Sequence, residues 1–153
     1  MLSKEAIKAK NKYKKLGSMI SWLVVEPWKP KMWKVKMQRL NFDYVVGLNP
    51  KSKGHKKEKL TLAGLETWKI TTPNSDPEKI LLYFHGGAYQ VGSPKGYYPM
   101  LTHLARETGF TIYIPDYRLA PEHYYPAQVE DGVATYEALI NDLGYSPDQI
   151  AFG

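Results

Sequence analysis

The chain contains no cysteine among its 153 residues. Disulfide bonds, thiolate nucleophiles and cysteine-ligated metal sites are therefore excluded for these residues. No segment approaches the roughly 18 apolar residues that a membrane-spanning helix requires. The apolar stretch 19–25 follows lysines, but Glu26-Pro27-Trp28 stands where a signal peptide would have its small-residue cleavage site. We expect neither a transmembrane helix nor a signal peptide, and we predict a cytoplasmic protein.

Acidic side chains are scarce in the first part of the chain, and basic side chains are scarce in the second. Residues 1–59 hold 16 basic and 4 acidic side chains, a balance of +12, whereas residues 60–153 hold 5 basic and 11 acidic ones, a balance of −6. The sequence thus describes a basic arm joined to an acidic body. Charge runs of this kind are usually solvated surface, and no motif for reading nucleic acid accompanies the arm. We predict no nucleic-acid partner.

Residues 1–50 combine lysines with large apolar side chains, which predicts a basic, aromatic, helical segment. Apolar residues recur at spacings of three and four, first at Tyr13, Leu16, Ile20 and Leu23 and then at Trp33, Met37 and Leu40. This periodicity predicts one or two amphipathic helices, interrupted near Pro27 and Pro30. Residues 51–59 are polar and charged, so we predict a connector there.

Residues 60–153 alternate between strand and helix patterns, as is typical of an α/β domain. Strands are predicted at 65–71, 80–84 and 110–115, and another begins near residue 150. Helices are predicted at about 97–107 and at 127–143, the second ending at Gly144. One face of this second helix carries Val129, Val133, Tyr136, Ile140 and Leu143.

A glycine-rich turn, His85-Gly86-Gly87-Ala88-Tyr89, directly follows the predicted buried strand at 80–84. Two consecutive glycines allow a sharp turn that leaves backbone N–H groups pointing into open space. Donors held in this way can stabilise the negative charge that develops on a carbonyl oxygen during acyl transfer. Adjacent glycines alone more often indicate a plain turn, but His-Gly-Gly is also the oxyanion motif of lipases and esterases. The neighbouring motifs decide between the two readings.

Two further motifs follow in order: Pro115-Asp116-Tyr117-Arg118-Leu119-Ala120-Pro121-Glu122-His123, and then Pro126-Ala127 ahead of Asp131. Together with residues 85–89 they resemble the hormone-sensitive-lipase-like branch of the α/β-hydrolases, the fold-3 group that includes bacterial acetyl esterases. The resemblance covers residues 65–153. It implies the N-terminal portion of an α/β-hydrolase sheet with flanking helices, and an enzyme that hydrolyses short acyl esters of small molecules without a cofactor or metal.

The resemblance implies that the amides of Gly87 and Ala88 form the oxyanion hole, within the motif made by His85, Gly86 and Gly87. The family usually has a third glycine where this chain has Ala88. The alanine amide would still serve, provided that φ at this position is not positive. In the family the histidine braces the loop and is not the general base, because the triad histidine comes late in the chain.

The same resemblance implies a brace of hydrogen bonds and ion pairs between strand and loop, made by Asp116, Arg118 and Glu122. Asp131 would be a structural acceptor or a residue of the helix N-terminus, since the catalytic acid of the family lies beyond the nucleophile.

No nucleophile, acid or base of a catalytic triad is recognisable in these 153 residues. In the family the strand at 150–153 runs into Gly-Asp-Ser-Ala-Gly, of which Gly153 would be the first glycine. None of the seven serines stands in a G-x-S-x-G frame, and the triad order Ser, Asp/Glu, His would put all three residues beyond position 153. We therefore expect a truncated chain that is inactive alone.

Two questions stay open at this stage. The chain is either a portion of an ester hydrolase or a non-catalytic protein, the latter a remnant or a half that associates with a separately encoded C-terminal half. The basic arm is either a cap-like segment that packs its aromatic residues on the hydrolase body or, through residues 1–40, an interfacial helix at a membrane surface.

Overall fold

The computed structural model describes residues 31–153, in which one helix precedes a mixed five-stranded sheet. The elements are α1 (Met32–Val46), β1 (Lys56–Leu62), β2 (Leu65–Thr71), β3 (Asp76–Leu82), α2 (Pro94–Thr108), β4 (Phe110–Pro115), α3 (Ala127–Asn141), a 3₁₀ turn (Pro147–Gln149) and β5 (Ile150–Phe152). The helix predicted over Tyr13, Leu16, Ile20 and Leu23 lies outside the described residues. Within residues 31–153, no helix combines the length and apolarity that crossing a bilayer requires.

The strands lie in the order β1-β2-β4-β3-β5. β1, β2 and β4 pair antiparallel, whereas β3 lies between β4 and β5 and is parallel to both. The two parallel pairs have the helical crossovers that such pairs need, through α2 and α3. This arrangement confirms the α/β class, and the predicted bounds of β2 and β4 agree with the structure.

The core divides between the two faces of the sheet. On one face α2 contributes Tyr98, Leu101 and Ala105, which pack on β2 and β4. On the other face α3 contributes Ala138 and Leu139, which pack on β3, β5 and Tyr113. Because both faces are covered, β4 is buried along nearly its whole length, as its continuous apolar sequence predicts.

Helix α2 begins three residues earlier than predicted, because its N-terminus has a cap. The Ser93 hydroxyl accepts a hydrogen bond from the Gly96 N–H at 3.4 Å, and Pro94 occupies the first helical position. These are favourable residues for the start of a helix. The helix ends at Gly109, whose φ of 72° lies in the left-handed region.

The apolar residues that share one face of α3 differ in burial. Val129 and Val133 are about half exposed, and the residues that meet the sheet side are Ala127, Gln128, Asp131, Thr135, Ala138 and Leu139. Tyr136 and Ile140, from the predicted face, are half-buried and pack against the same core as Ala138 and Leu139. Gly144 does end the helical turn, with a φ of 76° and an N–H that donates to the Ile140 carbonyl.

Strand β1 begins inside the stretch predicted as a charged connector. Lys56 to Leu62 pair with β2 across a tight turn at Ala63-Gly64. Polar lysines suit this position because β1 lies at the edge of the sheet. The stem of Lys57 also covers Trp68, with the ammonium 4.0 Å from the centre of that ring.

Helix α1 is present where the spacing of Trp33, Met37 and Leu40 predicts one, but these residues do not form its buried face. The exposed fractions of Trp33, Met37, Leu40 and Tyr44 are 57%, 45%, 66% and 68%. Val35, on the opposite side, is the fully buried residue of the helix. We call the outward face formed by Trp33, Met37, Leu40 and Tyr44 the apolar stripe.

Candidate oxyanion site

The turn after β3 is built around Gly87. The Gly87 carbonyl accepts hydrogen bonds from the N–H groups of Gln90 and Val91, at 3.0 and 3.1 Å. Gly87 has a φ of 135°, and a Cβ atom at this position would lie 2.0 Å from the Val91 carbonyl oxygen. Only glycine fits this turn without rearrangement.

Ala88 adopts a φ of 53° and Tyr89 a φ of 58°. The condition set for Ala88, that φ should not be positive, is therefore not met. The left-handed region costs an L-residue with a side chain roughly 1–2 kcal/mol, and the third glycine of the family would avoid that cost. The alanine keeps its N–H, so the consequence is local backbone strain and not the loss of a donor.

The amides of the turn are available to a ligand. Between the residues that the structure describes, no hydrogen bond has the N–H of Gly87 or Ala88 as its donor. Both residues line a pocket of about 200 Å³, together with Gln38, Phe42, Gln90 and Val91. Helix α1 forms one wall of this pocket through Gln38 and Phe42. No local sequence pattern identifies these two residues as the wall, because α1 precedes the turn by some fifty residues.

His85 lies beneath the turn and is buried, with 2% of its surface exposed. Its ring stacks on Tyr117 at a centroid distance of 4.3 Å and an interplanar angle of 16°. The Tyr117 hydroxyl donates to the His85 carbonyl, and His85 Nδ1 lies 3.2 Å from the Gly86 carbonyl oxygen. Burial lowers the pKa of His85, although the contact with Gly86 and the charge of Asp43 oppose this shift. The imidazole is thus neutral at neutral pH and braces the turn.

The predicted brace of Asp116, Arg118 and Glu122 does not form as one cluster. Arg118 pairs with Asp131, which accepts from the guanidinium at 2.6–3.0 Å and from the Arg118 backbone N–H at 2.8 Å. Asp131 is 6% exposed, so it is a buried structural acceptor. Desolvation would raise the pKa of Asp131, but the hydrogen bonds from Arg118 outweigh it and lower the pKa.

Glu122 pairs with Arg39 of helix α1. The Arg39 guanidinium donates to both Glu122 carboxylate oxygens at 2.7 Å, and also to the carbonyls of Gln90 and Ala120 at 2.8 and 2.9 Å. The hydrogen bonds from Arg39 lower the pKa of Glu122. Arg39 therefore ties α1 to the oxyanion turn and to the loop after β4. One feature of the sequence points to this role of Arg39. It is the single arginine among the 16 basic residues of the arm, and arginine is better suited than lysine to a bidentate ion pair.

Asp116 takes part in neither ion pair, although it lines one pocket with Arg39 and Glu122. Its side chain is solvent-accessible, but the protein packed around the carboxyl group desolvates it and raises its pKa. The nearby carboxylates of Glu66 and Asp43 raise that pKa further. Its backbone N–H donates to the Glu66 carbonyl at 2.8 Å, which extends the pairing of β4 with β2.

The serines of the described residues make structural contacts. Ser93, the one nearest the turn, donates its hydroxyl proton to Asp43 at 2.6 Å. Ser52, Ser75 and Ser146 contact Arg106, Thr72 and Asp148 respectively. In residues 31–153, none of the serine hydroxyl groups is bonded to a histidine, so none has the partner that activates a serine nucleophile.

Comparison with known proteins relates this geometry to one family. Residues 81–153 match the family model described as "alpha/beta hydrolase fold". A protein of Mycobacterium tuberculosis named "Putative acetyl-hydrolase LipR" is 36% identical over 90 residues, which is 59% of this chain and 29% of that protein. An "Acetyl-hydrolase" of Streptomyces hygroscopicus is 36% identical over 78 residues, 51% of this chain and 26% of that protein.

The solved structures agree with the sequence relatives. An esterase from the bacterial hormone-sensitive lipase family superposes with a TM-score of 0.75 at 34% identity, covering 92% of this chain and 46% of that one. The chain thus spans less than a third of the curated relatives named above and less than half of the solved esterase.

Proposed function

We propose that this chain, whose residues 81–153 match the α/β-hydrolase fold family model, supplies the oxyanion hole of a carboxylic-ester hydrolase. The observation that carries the proposal is the pair of amides at Gly87 and Ala88, which no other described residue engages and which line a small pocket. A pocket of about 200 Å³ is smaller than those that hold drug-sized ligands. Its size favours short acyl esters, in keeping with the two relatives named acetyl-hydrolases.

The chemistry follows from where the donors are held. When a nucleophile attacks an ester carbonyl, its oxygen gains negative charge, and N–H groups at about 2.7–3.1 Å from that oxygen lower the energy of the transition state. The turn keeps its amides ready, because Gln90 and Val91 engage the Gly87 carbonyl while no residue of 31–153 engages the Gly87 N–H. No reorganisation is then needed at the moment of reaction.

We propose that the nucleophile is supplied by polypeptide other than these 153 residues, in the same chain or in a second one. None of the seven serines lies in the G-x-S-x-G frame. The alternative, a non-catalytic remnant, is compatible with the same fold. The strain at Ala88 favours it slightly, since a family glycine has been lost where φ is positive.

Two assays test the proposal. The purified chain is expected to show neither turnover of p-nitrophenyl acetate nor labelling by a fluorophosphonate; robust labelling of any serine would contradict an external nucleophile. The chain is then joined to the region that follows the matched segment in the mycobacterial relative. Activity in this chimaera is the expected result, and a folded chimaera without activity would favour the remnant.

A matched pair of glycine variants shows whether the turn at Gly87 contributes to the activity of the chimaera. In the chimaera, Gly87→Ala forces a Cβ atom against the Val91 carbonyl and is expected to reduce kcat by roughly a hundredfold or more. Gly64→Ala is the control, because Gly64 also has a positive φ but nothing lies within 4 Å of its added Cβ. Equal losses in both variants would exclude a special role for the Gly87 turn.

A further inference from the structure

The apolar stripe on α1 is an unusual surface. Trp33, Met37, Leu40 and Tyr44 follow one another at spacings of three and four, so they form one continuous outward face. Each is exposed by 45% or more. Contiguous exposed apolar patches are uncommon on monomeric proteins and mark contacts with a protein or a membrane. The stripe therefore indicates a binding surface, and the charges around it indicate the kind of partner.

Basic side chains border the C-terminal half of the stripe. Leu40 and Tyr44 form one side of a groove of about 710 Å³, and four lysines lie around the same groove: Lys51, Lys57, Lys59 and Lys95. Lys59 is paired with Glu66, at 2.9 Å, but Lys51, Lys57 and Lys95 have exposed side chains. The only carboxylate among the groove's described lining residues is Asp43, and it accepts the hydrogen bond from Ser93.

The charges argue against two occupants of this surface. Residues 1–30 carry seven lysines and two glutamates, so this segment would bring further positive charge to a groove that is already basic. A second copy that docked through the same surface would likewise place lysines against lysines. Nucleic acid would satisfy the lysines but would leave large apolar side chains of the stripe without a matching surface. An apolar stripe beside lysines is complementary to a bilayer that contains anionic lipids.

We propose that the apolar stripe and the neighbouring lysines form a docking surface for an anionic membrane. The indole of Trp33 and the side chains of Met37 and Leu40 enter the boundary between headgroups and acyl chains. Lys51, Lys57 and Lys95, which line a groove together with Leu40 and Tyr44, contact lipid phosphates. Tyr44 suits the boundary itself, since its ring is apolar and its hydroxyl is polar. The surface is separate from the oxyanion pocket, which lies on the inner side of α1 at Gln38 and Phe42.

The test is flotation of the full chain with vesicles of phosphatidylcholine, with and without phosphatidylglycerol. We expect binding only when the anionic lipid is present. Leu40→Ser/Tyr44→Ser is expected to lower the partition coefficient more than tenfold, because two large side chains no longer leave water. The matched control Tyr124→Ser/Tyr125→Ser, which changes two exposed tyrosines on another surface, is expected to bind as the wild type does.

A second pair of variants tests the charges. Lys51→Gln/Lys95→Gln is expected to weaken binding by roughly 25-fold, at about fivefold for each lysine. Lys53→Gln/Lys79→Gln removes the same charge outside the groove and is expected to have a much smaller effect. Circular dichroism verifies that all four variants are folded, which the exposure of the altered side chains favours.

Three results would overturn the proposal. Vesicle binding that is unchanged in the stripe variant would assign it to the basic residues 1–30 alone. A stripe that mediates self-association would appear as a dimer in sedimentation, abolished by Leu40→Ser/Tyr44→Ser. Binding of an oligonucleotide that competes with vesicles and depends on the lysines but not on the stripe would identify a nucleic-acid surface.

Discussion

Replacing Ala88 with glycine is expected to stabilise the protein, because Ala88 adopts a φ of 53°. Relief of the left-handed strain is worth roughly 1–2 kcal/mol. Against this, glycine makes the unfolded chain more flexible, which costs about 0.4–1 kcal/mol. The difference predicts a gain of roughly 0.5–1 kcal/mol in the free energy of unfolding. No side-chain packing is lost beyond one methyl group on an exposed residue.

Urea denaturation followed by circular dichroism measures this difference. With a slope of about 2 kcal/mol per molar urea, the midpoint should rise by roughly 0.3–0.5 M. Ala63→Gly is the positive control, since Ala63 has a φ of 49° in the turn between β1 and β2 and should gain similarly. Ala134→Gly, inside α3, is the negative control and should lose about 1 kcal/mol.

The reasoning would be refuted by a loss of stability in Ala88→Gly as large as that in Ala134→Gly. Such a loss would mean that residue 88 has a negative φ and that the turn differs from the one described. A gain in Ala63→Gly with none in Ala88→Gly would instead show that the turn at 85–91 is not rigidly held in the folded chain.

Three further outcomes are expected. Asp131→Asn removes the acceptor of the buried pair with Arg118 and should lower the free energy of unfolding by roughly 1.5–3 kcal/mol in urea denaturation; a loss below about 0.5 kcal/mol would contradict it. Glu122→Gln weakens the partly exposed pair with Arg39 and should cost only about 0.5–1 kcal/mol by the same measurement, with salt reducing the difference. Because burial lowers the pKa of His85, stability should fall as the pH drops below about 6.5, by at most about 1.4 kcal/mol per pH unit. His85→Gln should flatten that slope, and an unchanged slope would exclude His85 as its source.

Strand positions could be predicted from the sequence because each depends on a local pattern. The continuous apolar run of β4 and the alternation in β2 each indicate how many faces of the strand are covered, and the structure has both strands at the predicted bounds. The orientation of α3 could not be predicted in this way. Periodicity identifies the side that is apolar, but the buried side of α3 is partly polar and carries Thr135 beside Ala138 and Leu139.

The ion pairs show a second limit of prediction from the sequence. Arg118 and Asp131 lie 13 residues apart, and Arg39 and Glu122 lie 83 apart. A motif shows that charged residues recur at a fixed spacing, but it does not show which of them meet after folding. In the structure Glu122 and Arg118 take partners from outside the motif, Arg39 of α1 and Asp131 of α3 respectively.

Helix α1 connects the two proposals, because its opposite sides have different contacts. Arg39 faces the body and holds the Gln90 carbonyl of the oxyanion turn, whereas the apolar stripe faces away from it. A membrane contact at the stripe would therefore leave the hydrogen bonds of Arg39 intact. Conversely, weakening the ion pair between Arg39 and Glu122 would leave the stripe exposed to the membrane. Glu122→Gln should accordingly bind anionic vesicles as the wild type does, although its stability is lower. If this variant loses vesicle binding while it remains folded, the orientation of α1 depends on Arg39, and the two sides of the helix are not independent.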